Sequence, residues 1–285
     1  MRLLPVTLPI DSRVCVLHDM RILLTGHQGF IGSNMLKALA GHDVRTFEWG
    51  EDTDKLSTAD IDICIHMGAI SSTTERNVDK VMRQNYDFSC RLLDSCMNTG
   101  THFQYSSSAS VYGLNTEFRE DSPVDPRTPY AWSKYMFERY ATKRQEFADH
   151  NSYRIQGFRY FNVYGPGEDH KGTQASPYHQ FEKQARETGC IRVFENSDQY
   201  RRDFVPVATV VDTHQQFFNV KQSGVWNIGT GQAHSFQHVA EQIANKYNCP
   251  IETIPMPDHL RNSYQSYTCA DLTKLNTALN DQDCS

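Results

Sequence analysis

Arg21-Ile22-Leu23-Leu24-Thr25-Gly26-His27-Gln28-Gly29-Phe30-Ile31-Gly32 is a short apolar run followed by three regularly spaced glycines. The apolar run predicts a buried strand, and residues 31–39 have the spacing of an amphipathic helix. Glycines at such a junction allow a tight turn and close approach of the backbone to a pyrophosphate, which then lies on the helix N-terminus. The order of strand, glycine loop and helix therefore predicts a dinucleotide-binding unit, with Gly26, Gly29 and Gly32 as candidate cofactor residues.

Strand and helix patterns continue to alternate beyond this unit, which predicts βαβ connections and a parallel sheet. The pattern is less regular in the second half of the chain, where a Gly-Pro-Gly run at residues 165–167 marks an exit from the first lobe. The predicted strands are residues 22–24, 44–47, 61–65, 103–106, 155–160, 192–194 and 225–228; the predicted helices are residues 31–39, 78–97, 130–147, 181–187 and 236–247.

These elements predict an α/β fold, a Rossmann-like doubly wound parallel sheet with a smaller α+β substrate lobe. The sheet is expected to be shortened after its second strand, because the segment between Trp49 and Ile61 is too short for another helix and strand. Residues 20–162 with about 203–230 are assigned to the cofactor domain, and residues 163–202 with about 231–285 to the substrate lobe. Residues 1–19 are expected to be a disordered extension.

The composition is that of an ordinary soluble protein, with 39% hydrophobic and 22% charged residues. A net charge of −6 argues against nucleic acid as a partner, and no apolar stretch is long enough to span a membrane. The eight cysteines show no CxxC pair, which favours a reducing, cytoplasmic location. No metal site is expected, since His234 and His238 lack a third ligand.

The residues that follow the second and third predicted strands are candidates for the adenosine side of a cofactor. Glu48 lies where an acid binds the ribose hydroxyls, and its carboxylate would repel a 2′-phosphate. This favours NAD over NADP, although the nearby Lys55 leaves NADP open. Gly68 and Ala69 would let the chain pass beneath the adenine or ribose.

A tyrosine and a lysine four residues apart form the candidate reacting centre. Thr128 and Pro129 predict a helix start, so Tyr130 and Lys134 share one helical face. An ammonium beside a phenol favours the phenolate, which could take a proton from a sugar hydroxyl near neutral pH. Ser108, directly after a strand, could hydrogen-bond the same substrate oxygen. By itself, the pair is also explained by a packed tyrosine and a surface lysine.

Together these motifs resemble the extended short-chain dehydrogenase/reductase superfamily, in which the TGxxGxxG loop, the SSSAxVYG segment and YxxxK have this order and spacing. The resemblance implies one tightly bound NAD or NADP per subunit, a nucleotide-diphosphate sugar as substrate, and Ser108, Tyr130 and Lys134 as catalytic residues. Sugar 4,6-dehydratases in the superfamily carry an Asp-Glu pair after the active hydroxyl. This chain has Ala109-Ser110 there, which argues against dehydration.

Residues 157–176 resemble ADP-L-glycero-D-manno-heptose 6-epimerases more specifically, as do residues 194–197, 202–205, 227–231 and 264–273. The resemblance implies that Lys171 is a second acid/base. It also implies cofactor contacts from Phe30, Ile31, Ser71, Asn85, Lys134 and Val163, and substrate contacts from Asn162, Thr173, Phe194, Glu195, Asn196, Ser197, Arg202 and Tyr264.

The resemblance predicts an isomerase of carbohydrate metabolism, a nucleotide-sugar epimerase of the kind used in lipopolysaccharide biosynthesis. The alternatives are an epimerase or reductase for another sugar, or a non-catalytic NAD-binding regulatory protein. Gln180 stands where the family has a histidine, the adenine side of the site should be more open, and the family's last helix should be missing after Leu275. A homo-oligomer is expected by analogy.

Overall fold

The computed structural model describes residues 19–51, 56–148, 153–257 and 265–281. Three predictions fall on residues outside these ranges: the extension at residues 1–18, the influence of Lys55, and the substrate contact of Tyr264.

Eleven strands and eight α-helices are labelled here in chain order within the described residues. The strands are β1 Arg21–Thr25, β2 Asp43–Phe47, β3 Ile63–His66, β4 His102–Ser108, β5 Ile155–Tyr160, β6 Asn162–Tyr164, β7 Ile191–Phe194, β8 Arg201–Pro206, β9 Gly224–Ile228, β10 Ala233–Ser235 and β11 Ile251–Ile254. The helices are α1 Phe30–Ala38, α2 Val78–Val81, α3 Phe88–Thr99, α4 Pro129–Ala148, α5 Pro177–Thr188, α6 Val207–Gln216, α7 Phe236–Tyr247 and α8 Thr273–Asn280.

Six parallel strands form the central sheet in the order β2-β1-β3-β4-β5-β9. The chain turns back from one side of β1 to the other after β2, which is the switch point at which such sheets bind nucleotides. Residues 48–51 and 56–62 contain no helix or strand, so β2 is the edge of the described sheet. The predicted Rossmann-like fold, shortened after its second strand, is confirmed.

Side chains alternate along the central strands and pack against helices on both faces of the sheet. Leu23 and Cys64 pack in a cluster with Leu93 of α3 and Phe137 of α4. Their sequence neighbours point the other way, because successive residues of a strand face opposite sides. Ile22, Leu24, Ile63 and Ile65 pack with Met35 of α1 and Val211 of α6. Two covered faces explain why these strands are almost uniformly apolar.

The long helix predicted at residues 78–97 is interrupted. A π-helical turn at Met82–Asp87 separates α2 from α3, and sequence periodicity did not predict it. The turn places the Asn85 side chain where its Oδ1 accepts from the Ile70 backbone N–H at 2.7 Å. π-Helical turns are frequent at functional sites, and this one bonds to the segment that leaves β3.

The second lobe holds a three-stranded sheet, β10-β8-β6, and a parallel pair, β11-β7. Helices α5 and α7 pack against it through Phe181, Ala185, Val239 and Ile243. The division into two domains at the predicted residues stays a prediction.

Several short elements were not predicted from the sequence. One is helix α8 around Leu275, where Leu275 and Ala278 pack against the Trp226 side of β9. Elements this short depend on tertiary packing more than on local propensity. The expected lack of the family's last helix stays a prediction. No helix in the part of the chain described here is long and apolar enough to cross a membrane.

Candidate active site

The glycine loop between β1 and α1 is packed so closely that two of its glycines admit no side chain. A Cβ on Gly32 would lie 1.9 Å from the Gly26 carbonyl oxygen, and one on Gly26 would lie 2.4 Å from the Gly68 nitrogen. Gly26 also has a φ of +75°, which L-residues with side chains rarely adopt. Gly29 differs, because a Cβ there would meet only the Gly26 carbonyl, at 3.4 Å. The protein therefore leaves space beside Gly29.

That space is a cleft of about 150 Å³ at the carboxyl ends of β1, β2 and β3. Its lining includes Gly26, Gly29, Glu48, Gly68 and Ala69, all of which were predicted as cofactor residues. Backbone N–H groups at the start of α1 face an anion site of the kind that binds pyrophosphate. The residues present fit a dinucleotide, because the glycines leave the room that its phosphates need.

Glu48 is bonded to the glycine loop itself. Its Oε1 accepts from the Gln28 backbone N–H at 2.7 Å and lies 3.3 Å from His27 Nδ1. This contact holds the loop against the end of β2. The same carboxylate lines the cleft, where it can accept from ribose hydroxyls.

Asn85 was predicted to lie near the cofactor, and the structure shows what its amide does. Nδ2 donates to the Ile70 carbonyl and to Ser133 Oγ, both at 3.0 Å, while Oδ1 accepts from Ile70 N. Asn85 is 1% exposed. Its side chain therefore joins the segment after β3, which carries the exposed Ser71, to helix α4.

His66 supports the same strand end from inside the sheet. Ser89 Oγ donates to the Asn85 carbonyl, so it accepts from His66 Nε2 at 2.7 Å, which assigns the proton to Nε2. Thr25 then donates to Nδ1 at 2.6 Å. Burial lowers the pKa of His66 to about 3, so the imidazole is neutral. Sequence reasoning did not find this link between β1, β3 and α3.

Three successive serines at the end of β4 are bonded to three successive turns of α4. Ser108 hydrogen-bonds to Tyr130, the Lys134 ammonium donates to the Ser106 carbonyl at 2.9 Å, and Ser107 donates to Glu138. Tyr130, Lys134 and Glu138 lie at intervals of four residues and so share one side of the helix. The structure therefore brings together the three predicted catalytic residues of this segment.

The predicted effect of Lys134 on Tyr130 is wrong in this structure. The pKa of Tyr130 is raised, because burial of the phenol outweighs the hydrogen bond from Ser108. The ammonium lies 5.9 Å from the centre of the Tyr130 ring and donates to Ser106 instead. Burial also lowers the pKa of Lys134 to about 8, although the nearby Glu138 opposes this.

Glu138 is held by a bidentate ion pair. Arg159 Nε and Nη2 lie 3.0 and 2.7 Å from its two carboxylate oxygens, and both side chains are buried. Arg159 Nη1 also donates to the Glu120 carbonyl at 3.3 Å. The pair fixes the middle of α4 against β5, next to the proposed reacting centre. Sequence reasoning had not selected either residue.

Lys171 lies in a loop that closes on a buried carboxylate. Glu168 is 0% exposed and accepts from the Gly165 N–H, the Ser176 N–H and the Ser176 hydroxyl at 3.1, 2.6 and 2.7 Å. Lys171 Nζ lies 3.3 Å from the same carboxylate and 4.8 Å from the centre of the Phe30 ring. Phe30 begins α1, so the loop brings Lys171 to the start of the helix that follows the glycine loop.

Gln180, which replaces the family's histidine, has a partner in this loop. Its Nε2 donates to the Gly172 carbonyl at 3.0 Å, one residue beyond Lys171. The side chain therefore fixes the loop to α5.

The second lobe contains a larger pocket of about 440 Å³. Of the residues predicted to contact substrate, Thr173, Phe194 and Ser197 line it. Sequence reasoning missed Gln184, Arg192, Tyr200 and Phe236, which also line it. A signal existed for Gln184, one helical turn from Gln180, and for Arg192, which shares a strand face with Phe194.

Other predicted contacts lie beside this pocket or face away from it. Arg202 is buried, with its guanidinium 5.6 Å from the Phe236 ring centre. Asn196 is exposed in a turn with a φ of +60°, and the backbone of Glu195 pairs with Ile254. Asn162 is exposed at the start of β6, whereas Val163 and Ile31 pack against a core cluster. The roles assigned to them stay predictions.

Comparison with solved structures finds several of similar fold. The ADP-L-glycero-D-manno-heptose-6-epimerase of Helicobacter pylori has a TM-score of 0.80 and 24% identity, over 92% of this chain and 90% of that one. The UDP-N-acetylglucosamine 4-epimerase of Methanobrevibacter ruminantium, in complex with UDP-N-acetylmuramic acid, has a TM-score of 0.80 and 22% identity, covering 91% and 92%. TunA, an NAD-dependent NDP-hexosamine 5,6-dehydratase involved in tunicamycin biosynthesis, has a TM-score of 0.76 and 25% identity, covering 92% and 91%. At these identities the similarity supports the fold.

A family model extends the comparison to the sequence. Residues 22–229 match the model of the NAD-dependent epimerase/dehydratase family, which is more than half of the chain. The match includes the glycine loop, the serines after β4, the Tyr130–Lys134 pair and Lys171. The chain therefore belongs to the NAD-dependent epimerase/dehydratase family, an extended short-chain dehydrogenase/reductase group whose cofactor is a nicotinamide dinucleotide.

Proposed function

We propose that this protein is a nucleotide-sugar epimerase, most similar to ADP-glyceromanno-heptose 6-epimerase, that inverts one carbinol carbon by transient oxidation and re-reduction. The observation that carries the proposal is the position of Lys171. Its ammonium lies beside Phe30, at the start of the helix that follows the glycine loop. Lys171 is therefore a candidate for a second proton-transfer group, in addition to Tyr130, on the side of the site where α1 begins.

Epimerisation needs two such groups because hydride leaves one face of the carbon and returns to the other. The bound nicotinamide supplies this hydride transfer. Tyr130 takes the hydroxyl proton on one face, with Ser108 donating a hydrogen bond to the sugar oxygen. Lys171 serves the other face, once the transient ketone has turned. Each positioned acid or base typically contributes ~10²–10⁴-fold to the rate.

Lys134 holds the tyrosine's surroundings in place and contributes charge. Its ammonium donates to the Ser106 carbonyl and Oγ at 2.9 and 3.2 Å, two residues before Ser108. We propose that this positive charge stabilises the phenolate form of Tyr130 during the reaction, against the burial that raises the pKa of the phenol. We also propose that Lys134 bonds the ribose of the cofactor.

The substrate proposed is a nucleotide-diphosphate sugar, with its nucleotide in the pocket lined by Thr173, Phe194 and Ser197. This pocket is mainly apolar in character, with aromatic rings from Phe181, Phe194 and Phe236, which suits a planar base. Arg202, buried beside Phe236, supports a diphosphate site near the pocket because a guanidinium binds two oxygens at once.

The first prediction tests the two-base site. Purified protein is incubated in D₂O with ADP-glyceromanno-heptose and a panel of other nucleotide sugars, and NMR follows the epimerised carbon. We expect inversion without deuterium at that carbon, because the hydrogen travels as hydride. Tyr130→Phe and Lys171→Met should each reduce turnover about 10²–10⁴-fold while NAD still binds.

Matched variants keep this test specific. Tyr135→Phe and Lys183→Met change the same residue types on α4 and α5 and should leave turnover unchanged. Near-wild-type epimerisation by Tyr130→Phe would sink the proposal. Net NADPH consumption would identify a reductase, loss of water from the sugar a dehydratase, and cofactor binding without any conversion a regulatory protein.

Three finer expectations also stay proposals. One cofactor should remain tightly bound in each subunit, the subunits should form a homo-oligomer, and the protein should be cytoplasmic. Trp132 and Met136 support the second, because they expose an apolar strip on α4 at helical spacing.

A further inference from the structure

Trp49 is a feature of the cofactor cleft that the proposed reaction does not use. It follows Glu48 at the end of β2, and 45% of its surface is exposed. It lines the cleft together with Gly26, Gly29 and Glu48. Single exposed apolar residues are common, so exposure alone says little. The position of Trp49 in the cleft is the observation of interest.

The indole is held in place by a ring of the core. Its centre lies 5.6 Å from that of Phe88, edge to face at 88°. Phe88 is 6% exposed and stacks on Phe47 at 5.7 Å. One side of the indole is therefore fixed against the protein, while 45% of the residue is exposed and it lines the cleft.

The order of groups along the cleft matches the order of groups in one half of a dinucleotide. The glycine loop suits the pyrophosphate, and Glu48 beside it suits the ribose hydroxyls. The next large side chain after Glu48 is Trp49. In the dinucleotide, the group beyond that ribose is adenine, a flat heteroaromatic ring that stacks well on an indole.

Among the residues that the structure describes after Trp49, the nearest ones in sequence do not cover the adenine position. Residues 56–61, which follow in the described sequence, line no part of the cleft. They are bonded elsewhere: Thr58 Oγ1 donates to the Ser95 carbonyl, and Thr101 Oγ1 donates to the Thr58 carbonyl, both at 3.1 Å. These contacts hold the segment at the C-terminus of α3, near the start of β4. The described sheet also ends at β2, so no further strand flanks it.

We propose that Trp49 is the stacking platform for the adenine of the cofactor, at the edge where the described part of the sheet has no further strand or helix after β2. Gln84 lines the same cleft, and its amide can both donate to and accept from the edge of a purine. The inference depends on the cofactor class that the family establishes and is independent of the sugar and of the reaction.

Measuring how tightly each half of the cofactor binds tests whether Trp49 stacks on the adenine. Calorimetry measures the Kd of NAD, of ADP-ribose, which contains the adenine, and of nicotinamide mononucleotide, which does not. Trp49→Ala should raise the Kd of NAD and of ADP-ribose by about 10- to 100-fold, because one stacking contact between base and aromatic ring is lost. Trp49→Phe should retain most of the affinity, and the mononucleotide should bind all these proteins equally.

A second readout uses tryptophan fluorescence, since the chain has only three tryptophans. ADP-ribose should quench the emission of the wild type and of Trp132→Phe, but not that of Trp49→Phe. Trp132 is the matched control because it is 49% exposed and lies on α4, outside the cleft lining.

Two outcomes overturn the inference. In one, Trp49→Ala binds ADP-ribose as tightly as the wild type does. In the other, Trp49→Ala weakens binding of the mononucleotide as much as binding of ADP-ribose. The substitution would then act through the loop as a whole and not through stacking. Failure of sugar turnover with normal ADP-ribose binding would contradict the proposed function and leave this inference intact.

Discussion

Glu138 is a carboxylate with a side chain only 3% exposed, and Arg159 beside it is 6% exposed. Neither charge is solvated, so each depends on the other and on the hydrogen bonds around them. The Ser107 hydroxyl donates to the same carboxylate, which places the pair directly behind Ser108. A change at Glu138 should therefore affect both stability and the end of β4.

The second prediction is that Glu138→Gln lowers the free energy of unfolding by ~3–5 kcal/mol, because it leaves the Arg159 charge buried without an opposite charge. Urea denaturation measures it. The exposed Glu187→Gln is the control and should change stability by less than ~0.5 kcal/mol. The double variant Glu138→Gln, Arg159→Met should recover part of the loss. A Glu138→Gln protein as stable as the wild type would show that the pair is dispensable.

At the scale of elements, the glycines of the β1–α1 loop serve two different purposes. Some are required by the packing of the protein itself, and one leaves space for a ligand. Gly26 and Gly32 are required because the loop, α1 and the segment after β3 are in backbone contact. Gly29 is not required by the protein's own packing. We therefore expect Gly29 to be needed for the space that a ligand occupies beside the loop.

The third prediction follows from this difference. Gly32→Ala should destabilise the fold and abolish NAD binding, because its Cβ would lie 1.9 Å from the Gly26 oxygen. Gly29→Ala should keep the stability of the wild type and still weaken NAD, because the added methyl enters the phosphate space. Gly41→Ala, where a Cβ meets nothing within 4 Å, should change neither property. Thermal unfolding and calorimetry measure the two effects, and equal NAD affinity for Gly29→Ala and wild type would contradict the assignment.

Across the whole molecule, the buried His66 and His214 and the half-buried His102 tie distant elements together in their neutral form. Burial lowers the pKa of His66 and His214 to about 3 and that of His102 to about 4. His214 on α6 donates from Nδ1 to Gln104 Oε1 at 2.8 Å and accepts from the Tyr160 hydroxyl at 2.6 Å. Protonation of Nε2 would remove the acceptor of the Tyr160 bond and place a charge in a buried site.

The fourth prediction concerns acid stability. The unfolded chain binds protons on these histidines below its ordinary pKa of about 6.5, and the folded chain does not until pH 3 to 4. Their stabilising effect is therefore present above pH 6.5 and is lost as the pH falls through this window. Well below pH 6.5 each histidine should contribute a slope of ~1.4 kcal/mol per pH unit.

Urea unfolding at pH 7.5, 6.0 and 5.0 measures this slope. His214→Gln should be less stable at pH 7.5 but lose less stability on acidification, since one titrating group is gone. The exposed His170→Gln should follow the wild type. Equal stability of the wild type at pH 7.5 and 5.0 would contradict the prediction.

Much of the fold follows from local patterns in the sequence. Buried strands such as Arg21–Thr25 contain a continuous apolar run, here residues 22–24, and α7 begins and ends at the predicted residues, Phe236 and Tyr247. The π-turn at Met82–Asp87 and the helix at Thr273–Asn280 were missed, because each is stabilised by contacts with residues far along the chain.

The site divides in the same way. The sequence alone determined the glycine loop, Glu48, and the face shared by Tyr130 and Lys134, because backbone sterics and helical spacing act between near neighbours. Only the tertiary structure decided that Lys134 donates to Ser106, that Glu168 holds Lys171, and that Trp49 lines the cofactor cleft. These three contacts depend on which strand ends lie next to each other and on which charged groups are buried away from water. Contacts between residues far apart in the chain leave no periodic pattern in the sequence.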